Sequence, residues 1–287
     1  MNTIISRRNA LKTVATASAA FSLAERLGAA EKATKGRIRH SVCKWCYPKV
    51  SLEDLCREGK AMGLQSVELL EVQDFPVVKK HGLDCAMVSG VPGGITEGLN
   101  RIEHHDKIVA FYEKVAPQVA AAGFKNIICF SGNRKGMSDA QGLENCALGL
   151  KRIMPVVEKH GVVAVMELLN SRVNHPDYMC DKSAWGVELC RRVGSQHFKL
   201  LYDIYHMQIM EGDIIATIRK HHAFFGHYHT GGVPGRHEID ESQELYYPAI
   251  MKAIADTGFK GFVAQEFIPA RTDALASLRQ GVQICDV

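Results

Sequence analysis

The sequence predicts an α/β fold, a single-domain (β/α)8 TIM barrel, and three observations support this prediction. From residue 38 onward, short apolar runs alternate with amphipathic helical stretches. The apolar runs are nearly continuous, as strands of a parallel sheet covered on both faces must be. About eight such units follow one another, the number that closes a barrel. With 287 residues, 46% of them hydrophobic, the chain is long enough for one large core.

The elements can be assigned in order along the chain. The predicted strands are HSVCKWC (40–46), LQSVELL (64–70), LDCAMVS (83–89), KNIICF (125–130), VVAVMELL (162–169), FKLLYDI (198–204), AFFGHYH (223–229) and GFVAQEF (261–267). The first helix begins with a serine cap at Ser51 and stops at Gly63. The other predicted helices span 107–123, 146–161, 184–194, 213–221, 245–258 and 273–284. A doubly wound open sheet is disfavoured, because no Gly-x-Gly-x-x-Gly turn follows the first strand.

The N-terminus predicts a separate function for residues 1–30. The segment SRRNALK resembles a twin-arginine export motif, with Ala10 where a bulky apolar residue is usual, and an alanine-rich run follows. We therefore expect an exported, periplasmic protein whose barrel comprises residues 31–287, or a cytoplasmic one if the signal is not used. The alternative for this segment is an amphipathic N-terminal helix.

Charge and hydropathy narrow the classes of partner. Residues 1–30 carry three of the four net positive charges, which leaves 31 basic and 30 acidic residues in the rest of the chain. A nearly neutral barrel gives no electrostatic reason to expect binding to nucleic acid or to a membrane. No run approaches eighteen apolar residues, so we expect no membrane span after export. Homo-oligomerisation is left open.

The nine cysteines are odd in number and scattered, mostly within apolar runs. A thiol in such a run behaves as a small hydrophobe. Cys43 and Cys46 have CxxC spacing, but no second pair follows. We therefore expect buried free thiols, which suit a protein that folds before export better than a disulfide framework does.

The last four predicted strands each end with one side chain that can bind a metal. These are Glu167, Asp203, His229 and Glu266, separated by 36, 26 and 37 residues. Any one of the acids alone can serve as a helix cap or an ion-pair partner, and a lone histidine is more often simply packed. Four strands that each carry such a side chain at the same mouth of a barrel instead predict one shared site. Burying three like charges without a cation is costly, so we expect one divalent ion among these side chains. Three carboxylates and an imidazole suit Mn²⁺, Mg²⁺ or Co²⁺, with zinc also possible.

Segments around these residues resemble a known family. MELLNSRVNHPDY, LLYDIYHMQ, GHYHTGGVPGRHEID and AQEF are similar to signature segments of the xylose-isomerase-like sugar isomerase/epimerase barrels. Within that family the chain most resembles the hydroxypyruvate isomerase branch, in which NSR and VPGRHE recur. The resemblance covers residues 38–287 and is densest in the second half.

The resemblance implies roles for individual positions. Glu167 and Glu266 match the two catalytic glutamates, and Asp203 matches the metal-binding aspartate. His206 matches a histidine that contacts a substrate oxygen, and Arg236 an arginine that holds the polar end of the substrate. His229 departs from close hydroxypyruvate isomerases, which tend to carry glutamine there, and agrees with ketose 3-epimerases.

Other candidates come from position alone. Trp45, at the mouth end of the first strand, is predicted either to form a wall over the substrate or to pack in the barrel. Asn170, after the fifth strand, is predicted to orient the glutamate or bind the substrate. His227 lies on the same face as His229 and one layer deeper, where packing is favoured over a contact with the site. Arg236 has a planar fork suited to a carboxylate, and the alternative is a surface arginine paired with Glu238.

Together these features predict a metal-dependent isomerase acting on a small keto acid or sugar through a cis-enediolate, with two glutamates as acid and base. A ketose 3-epimerase and an inosose-type dehydratase would use much the same site. An endonuclease on this barrel would need more histidines at strand ends and a basic surface. A different class, a non-catalytic exported binding protein that retains the metal site, also stays open.

Overall fold

Six parallel strands of the computed structural model, which describes residues 35–287, form one sheet in the order β1–β6–β5–β4–β3–β2. The predicted export signal at residues 1–30 lies outside the described residues. The strands are β1 (Arg39–Val42), β2 (Asn126–Cys129), β3 (Val163–Leu168), β4 (Phe198–Asp203), β5 (Phe225–Thr230) and β6 (Phe262–Gln265).

Two further extended segments, residues 66–70 and 84–88, join the edges of this sheet. Parallel bridges link Cys43 to Glu68 on one side, and Val88 to Ile127 on the other. Between the two segments, Ser66 bridges Asp84 and Leu70 bridges Val88. The segments therefore occupy the second and third positions of a closed eight-membered barrel. This arrangement confirms the predicted TIM barrel.

The helices cover the outside of the barrel. They are α1 (Leu52–Ala61), α2 (Phe75–Lys80), α3 (His105–Ala122), α4 (Asp139–His160), α5 (Ser183–Val193), α6 (Ile204–Met210), α7 (Ile214–His221), α8 (Tyr247–Asp256) and α9 (Ala274–Cys285). Ser51 caps α1 as predicted, accepting a hydrogen bond from the Asp54 amide at 3.0 Å. None of the helices within residues 35–287 combines the length and apolarity needed to cross a bilayer.

Two predicted boundaries were wrong by more than two residues. Helix α4 begins at Asp139 and not at residue 146, because Ser138 accepts a hydrogen bond from the Gln141 amide and caps the extra turns. The first strand ends at Val42 and not at residue 46. There the chain enters a 3₁₀ turn, Lys44–Cys46, which carries Trp45 onto the mouth of the barrel.

The barrel interior is divided into an apolar and a polar side. The third to sixth strands of the barrel each contribute one residue to a buried apolar layer, which consists of Met87, Ile128, Val165 and Leu201. The other side carries buried polar side chains, among them Glu68, His227 and His229. All nine cysteines are buried and unpaired, as the sequence predicts.

Candidate metal centre and active site

The carboxyl ends of β3 to β6 bring the four predicted ligands together. One ligand atom from each of Glu167, Asp203, His229 and Glu266 lies within 4.8 Å of the others. Asp203 and His229 are register partners on neighbouring strands, and Glu266 follows the last residue of β6. All four residues are buried. We call this group the ligand cluster.

Asp203 shows that a helix cap and a ligand can be the same side chain. Its Oδ1 accepts a hydrogen bond from the His206 amide at 2.9 Å and so caps α6. Its Oδ2 faces the cluster, 3.3 Å from the Arg236 guanidinium. One oxygen of this carboxylate therefore caps the helix, and the other is free to face a metal ion in the cluster.

Burial of three carboxylates in one cluster is costly unless positive charge lies beside them. Burial raises the pKa of Glu167, with a contribution from the Glu266 charge, and burial raises the pKa of Asp203 well above its usual range. Burial acts in the same direction on Glu266, but His229 and Arg236 outweigh it and hold its pKa well below the usual range. A further positive charge in the cluster would lower the pKa values of Glu167 and Asp203 and so stabilise their ionised forms.

The donor atoms also fit a divalent ion. The Glu167 Oε1 atom is buried and accepts no hydrogen bond from any residue between 35 and 287, although His229 Nδ1 lies 3.4 Å away. An oxygen-rich set with one imidazole suits Mn²⁺, Mg²⁺ or Co²⁺, and zinc accepts such ligands too. The residues present therefore fit one bound divalent cation.

Arg236 lies over the cluster and is buried. Its Nη2 donates to Glu266 Oε2 at 2.5 Å, and the guanidinium carbon lies 5.2 Å from the centre of the Trp45 ring and 5.3 Å from that of Tyr205. Such positions over aromatic faces stabilise a cation. The expectation that Arg236 could be a surface side chain paired with Glu238 was wrong. Glu238 instead accepts hydrogen bonds from Ala270, Arg271 and Ser277.

The loop after β5 holds Arg236 in an unusual backbone conformation. Arg236 has φ of 61°, a left-handed conformation that non-glycine residues adopt at an energetic cost. A Cβ at Gly232 would lie 2.2 Å from the Glu238 carbonyl oxygen, so the loop needs glycine there. The Tyr247 hydroxyl accepts from the Gly231 amide and donates to its carbonyl, which anchors the start of the loop. The loop is thus built to keep the guanidinium over the cluster.

His206 presents an unpaired N–H toward the cluster. Its Nδ1 accepts from the Asn170 amide at 3.1 Å, so the ring proton sits on Nε2 when the imidazole is neutral. Burial and the nearby Arg236 charge hold the pKa of His206 well below its usual range. Nε2 is buried and makes no hydrogen bond with the residues that the structure describes. A substrate oxygen would be a suitable acceptor.

Asn170 lies behind His206 and is fully buried. Its side-chain nitrogen is 2.6 Å from His206 Nδ1, and its carbonyl oxygen accepts from the amides of Val173 and Asn174. These contacts use the amide to orient the imidazole and the following loop. They orient His206 and do not include Glu167, the residue that Asn170 was predicted to orient, and substrate binding by Asn170 stays a prediction.

Trp45 lies at the mouth and not in the barrel interior, with 44% of its surface exposed. Its indole N–H donates to Glu266 Oε1 at 2.9 Å. One edge of the ring therefore fixes the carboxylate while the face covers Arg236. Packing in the barrel, one of the two predictions for this residue, does not describe its position.

A buried acid that the sequence prediction missed lies beneath the cluster. Glu68 Oε1 is 2.9 Å from His229 Nε2 and 2.8 Å from His227 Nε2. These imidazoles hold the pKa of Glu68 down to about 2, although burial opposes this. His227 is thus in polar contact, contrary to the preference for packing. A lone acid within the apolar run SVELL was the available signal, since a buried carboxylate needs a partner.

A cavity of about 580 Å³ opens above the cluster. Its polar side includes Glu167, Glu266, Arg236 and His175. The rest of the lining is mainly apolar and includes Leu69, Val91, Ile95, Ile128, Phe130 and Leu169. A small molecule bound here would contact charged groups on one side and hydrocarbon on the other.

Comparison with known proteins identifies the family. The model of the family described as xylose isomerase-like TIM barrel matches residues 75–284. The chain belongs to this family. A human relative named "Putative hydroxypyruvate isomerase" is 33% identical over 256 residues, which span 82% of this chain and 90% of that protein.

Other known proteins are similar to this chain over a shorter region or at lower identity. The 2-oxo-tetronate isomerase of Cupriavidus necator is 35% identical over 109 residues, 38% of this chain and 41% of that protein. A solved structure described as a family 2 AP endonuclease from Brucella melitensis superposes with a TM-score of 0.74 at 24% identity, covering 84% of this chain and 96% of that one. At that identity the superposition supports the fold alone.

Proposed function

We propose that this protein is a divalent-metal-dependent isomerase of a small hydroxy-carbonyl compound, similar to hydroxypyruvate isomerases, working through a cis-enediolate. Family membership and the names of its relatives support an isomerase or epimerase of small keto compounds. The observation that carries the finer proposal is the arrangement of Glu167, Glu266 and Arg236 around one cavity above four converging ligands.

Proton transfer is assigned to Glu167 and Glu266. Moving a carbonyl group along a chain requires a proton to leave one carbon and return to its neighbour, while the hydroxyl proton passes from one substrate oxygen to the other. One glutamate removes the proton and the other returns it. When bound, the divalent ion supplies Lewis-acid stabilisation of the negative charge that develops on the substrate oxygens. Its ligands would be Glu167, Asp203, His229 and Glu266.

The remaining polar groups bind and orient the substrate. His206 donates its unpaired Nε2–H to a substrate oxygen and stays neutral while doing so. Arg236 provides a planar fork for a carboxylate. Trp45 and the apolar wall shield the reacting carbons from water, which strengthens electrostatic contacts inside the cavity. A small keto acid satisfies this set of contacts.

Deuterium incorporation tests the proposal. We expect the Mn²⁺-loaded protein in D₂O to place carbon-bound deuterium into hydroxypyruvate, and NMR detects this incorporation. Glu266→Gln should slow this by about 10²- to 10⁴-fold, the usual contribution of a general acid or base. Glu103→Gln, at an exposed glutamate, serves as the matched control. Absence of exchange with hydroxypyruvate and a panel of ketoses would favour a non-catalytic binding protein.

A ketose 3-epimerase is the second candidate, and His229 favours it because the epimerase branch carries histidine at this position. The isomerase would act on a keto acid whose carboxylate contacts Arg236, whereas the epimerase would act on a ketose that has no carboxylate. Deuterium at C3 of a ketose without isomerisation of hydroxypyruvate would identify the epimerase. An inosose-type dehydratase would instead release water from its substrate.

Export through residues 1–30 is a separate proposal. Detection of a periplasmic chain that lacks these residues would support it. A full-length chain found in the cytoplasm would contradict it.

A further inference from the structure

We propose that Glu68 is a positioning residue of the metal centre, which holds the Nε2–H of His229 and thereby directs Nδ1 to the metal. The proposal rests on the ligand set given above. Glu68 lies outside the ligand cluster and touches neither the cavity nor a reacting group. It acts only through His229.

The two nitrogens of His229 face different partners. Nε2 is 2.9 Å from Glu68 Oε1, whereas Nδ1 is 2.7 Å from Glu266 Oε2 and 3.4 Å from Glu167 Oε1. Each of these carboxylates can accept a hydrogen bond from the imidazole nitrogen that it faces. A metal ion bound by the ligand cluster would replace the proton on Nδ1, the nitrogen on that side, and would leave the Nε2–H directed at Glu68. A carboxylate in this position also makes the imidazole a better electron donor to a metal.

Glu68 is itself held firmly. It belongs to the extended segment 66–70, is completely buried, and reaches across the barrel interior to β5. The same Oε1 atom is 2.8 Å from His227 Nε2. His227 and His229 lie two residues apart on one strand, so both rings face the same side. An unpaired charge inside the barrel would be costly, and the contacts with these two imidazoles offset that cost for the Glu68 carboxylate.

The neighbouring thiol offers a different explanation that the experiment must exclude. Atoms of Cys43, Glu68 and His229 also lie within 4.8 Å of one another, a spacing that a second metal ion would allow. In that case His229 would lose its Nε2 proton and bridge two ions. Cys43 Sγ lies 3.9 Å from Glu68 Oε1 and 3.7 Å from His229 Nε2, so it is a weak hydrogen-bonding neighbour of both.

Calorimetric titration with Mn²⁺ separates the possibilities. We expect one ion per wild-type chain and affinity about 10- to 100-fold weaker in Glu68→Gln, the usual effect of losing such a partner. Cys43→Ser should bind within about twofold of wild type. Equal affinity in Glu68→Gln and wild type would overturn the proposal. So would two ions per wild-type chain that fall to one in Cys43→Ser.

A measurement on the wild type covers the case in which Glu68→Gln does not fold. In long-range ¹H–¹⁵N spectra of Zn²⁺-loaded, ¹⁵N-histidine-labelled protein, His229 should carry its proton on Nε2 and its metal on Nδ1. The opposite tautomer would refute the positioning role. Neither measurement involves turnover: an inactive protein that binds metal as described contradicts only the proposed reaction. A wild type that binds no divalent ion contradicts both.

Discussion

The two sides of the barrel mouth differ in the chemistry that they offer. Strands β3 to β6 and the turns that follow them supply a continuous polar side, consisting of Glu167, Asp203, His206, His229, Arg236 and Glu266. The earlier part of the barrel supplies Leu69, Val91, Ile95, Ile128 and Phe130. The polar side is suited to bind an ion and move a proton, whereas the apolar side can only exclude water and shape the space. We therefore expect the chemistry to depend on β3 to β6 and the shape of the cavity to depend on the earlier strands.

The barrel interior beneath the mouth is also divided into an apolar and a polar side, but along different strands and with a different energetic effect. Met87, Ile128, Val165 and Leu201 form an apolar layer whose burial stabilises the fold. Glu68 and His227 lie on the opposite side, where desolvation of charged groups opposes folding unless each is paired. Substitutions on the two sides should therefore separate function from stability.

The largest effect should follow loss of two cluster carboxylates. We expect the double variant Glu167→Gln/Asp203→Asn to retain no stoichiometric divalent ion, because two of four ligands lose their charge. Metal content after dialysis, measured by mass spectrometry, checks this. Leu201→Met, in the apolar layer, is the matched control and should keep its ion. Unchanged metal content in the double variant would show that the ligand assignment is wrong.

Arg236→Lys should be next in size. A lysine keeps the charge but not the planar fork, so kcat/KM for a keto acid should fall by about 10²-fold, consistent with about 2–3 kcal/mol for a charge-assisted contact. A ketose substrate has no carboxylate and should lose much less. Steady-state kinetics with both substrates compares the two. Equal losses would indicate that Arg236 supports the cluster and does not recognise a carboxylate.

On the apolar side, Phe130→Ala should change binding and stability more than chemistry. Phe130 is partly buried and lines the cavity, so we expect a higher KM, kcat within about threefold, and a free energy of unfolding lower by roughly 1–3 kcal/mol, less than for a fully buried ring. Kinetics and urea unfolding measure these quantities. A loss of kcat comparable to that of Glu266→Gln would remove the functional distinction between the two sides.

The smallest effect concerns the pH dependence of stability. Burial and Arg236 depress the pKa of His206, so below about pH 6.5 the unfolded chain takes up a proton that the folded protein does not. The free energy of unfolding therefore falls as pH drops through this range. His206→Gln lacks this contribution and should lose less stability than wild type between pH 7.5 and 5.5, as measured by urea unfolding of metal-free protein. Parallel pH profiles would contradict a neutral His206 in the fold.

Much of the fold and of the cluster was predictable because both depend on repeating features. The spacing of apolar runs indicates the barrel, and the one acid or histidine at or near the end of each of the last four runs marks one mouth. The positions of Glu167, Asp203, His229 and Glu266 followed from that rule. The predictions for Asn170 and Trp45 were less specific, since each depends on which neighbour a side chain meets.

The sequence by itself determined the alternation of strands and helices and which residues end the last four strands, because these depend on hydrophobic period and local order. Only the tertiary structure decided that Glu68 meets His229 across 161 residues of chain, and that Arg236 turns inward instead of pairing with Glu238. Contacts of this kind depend on closure of the barrel, which brings distant strands together. No local pattern specifies which of their side chains will touch.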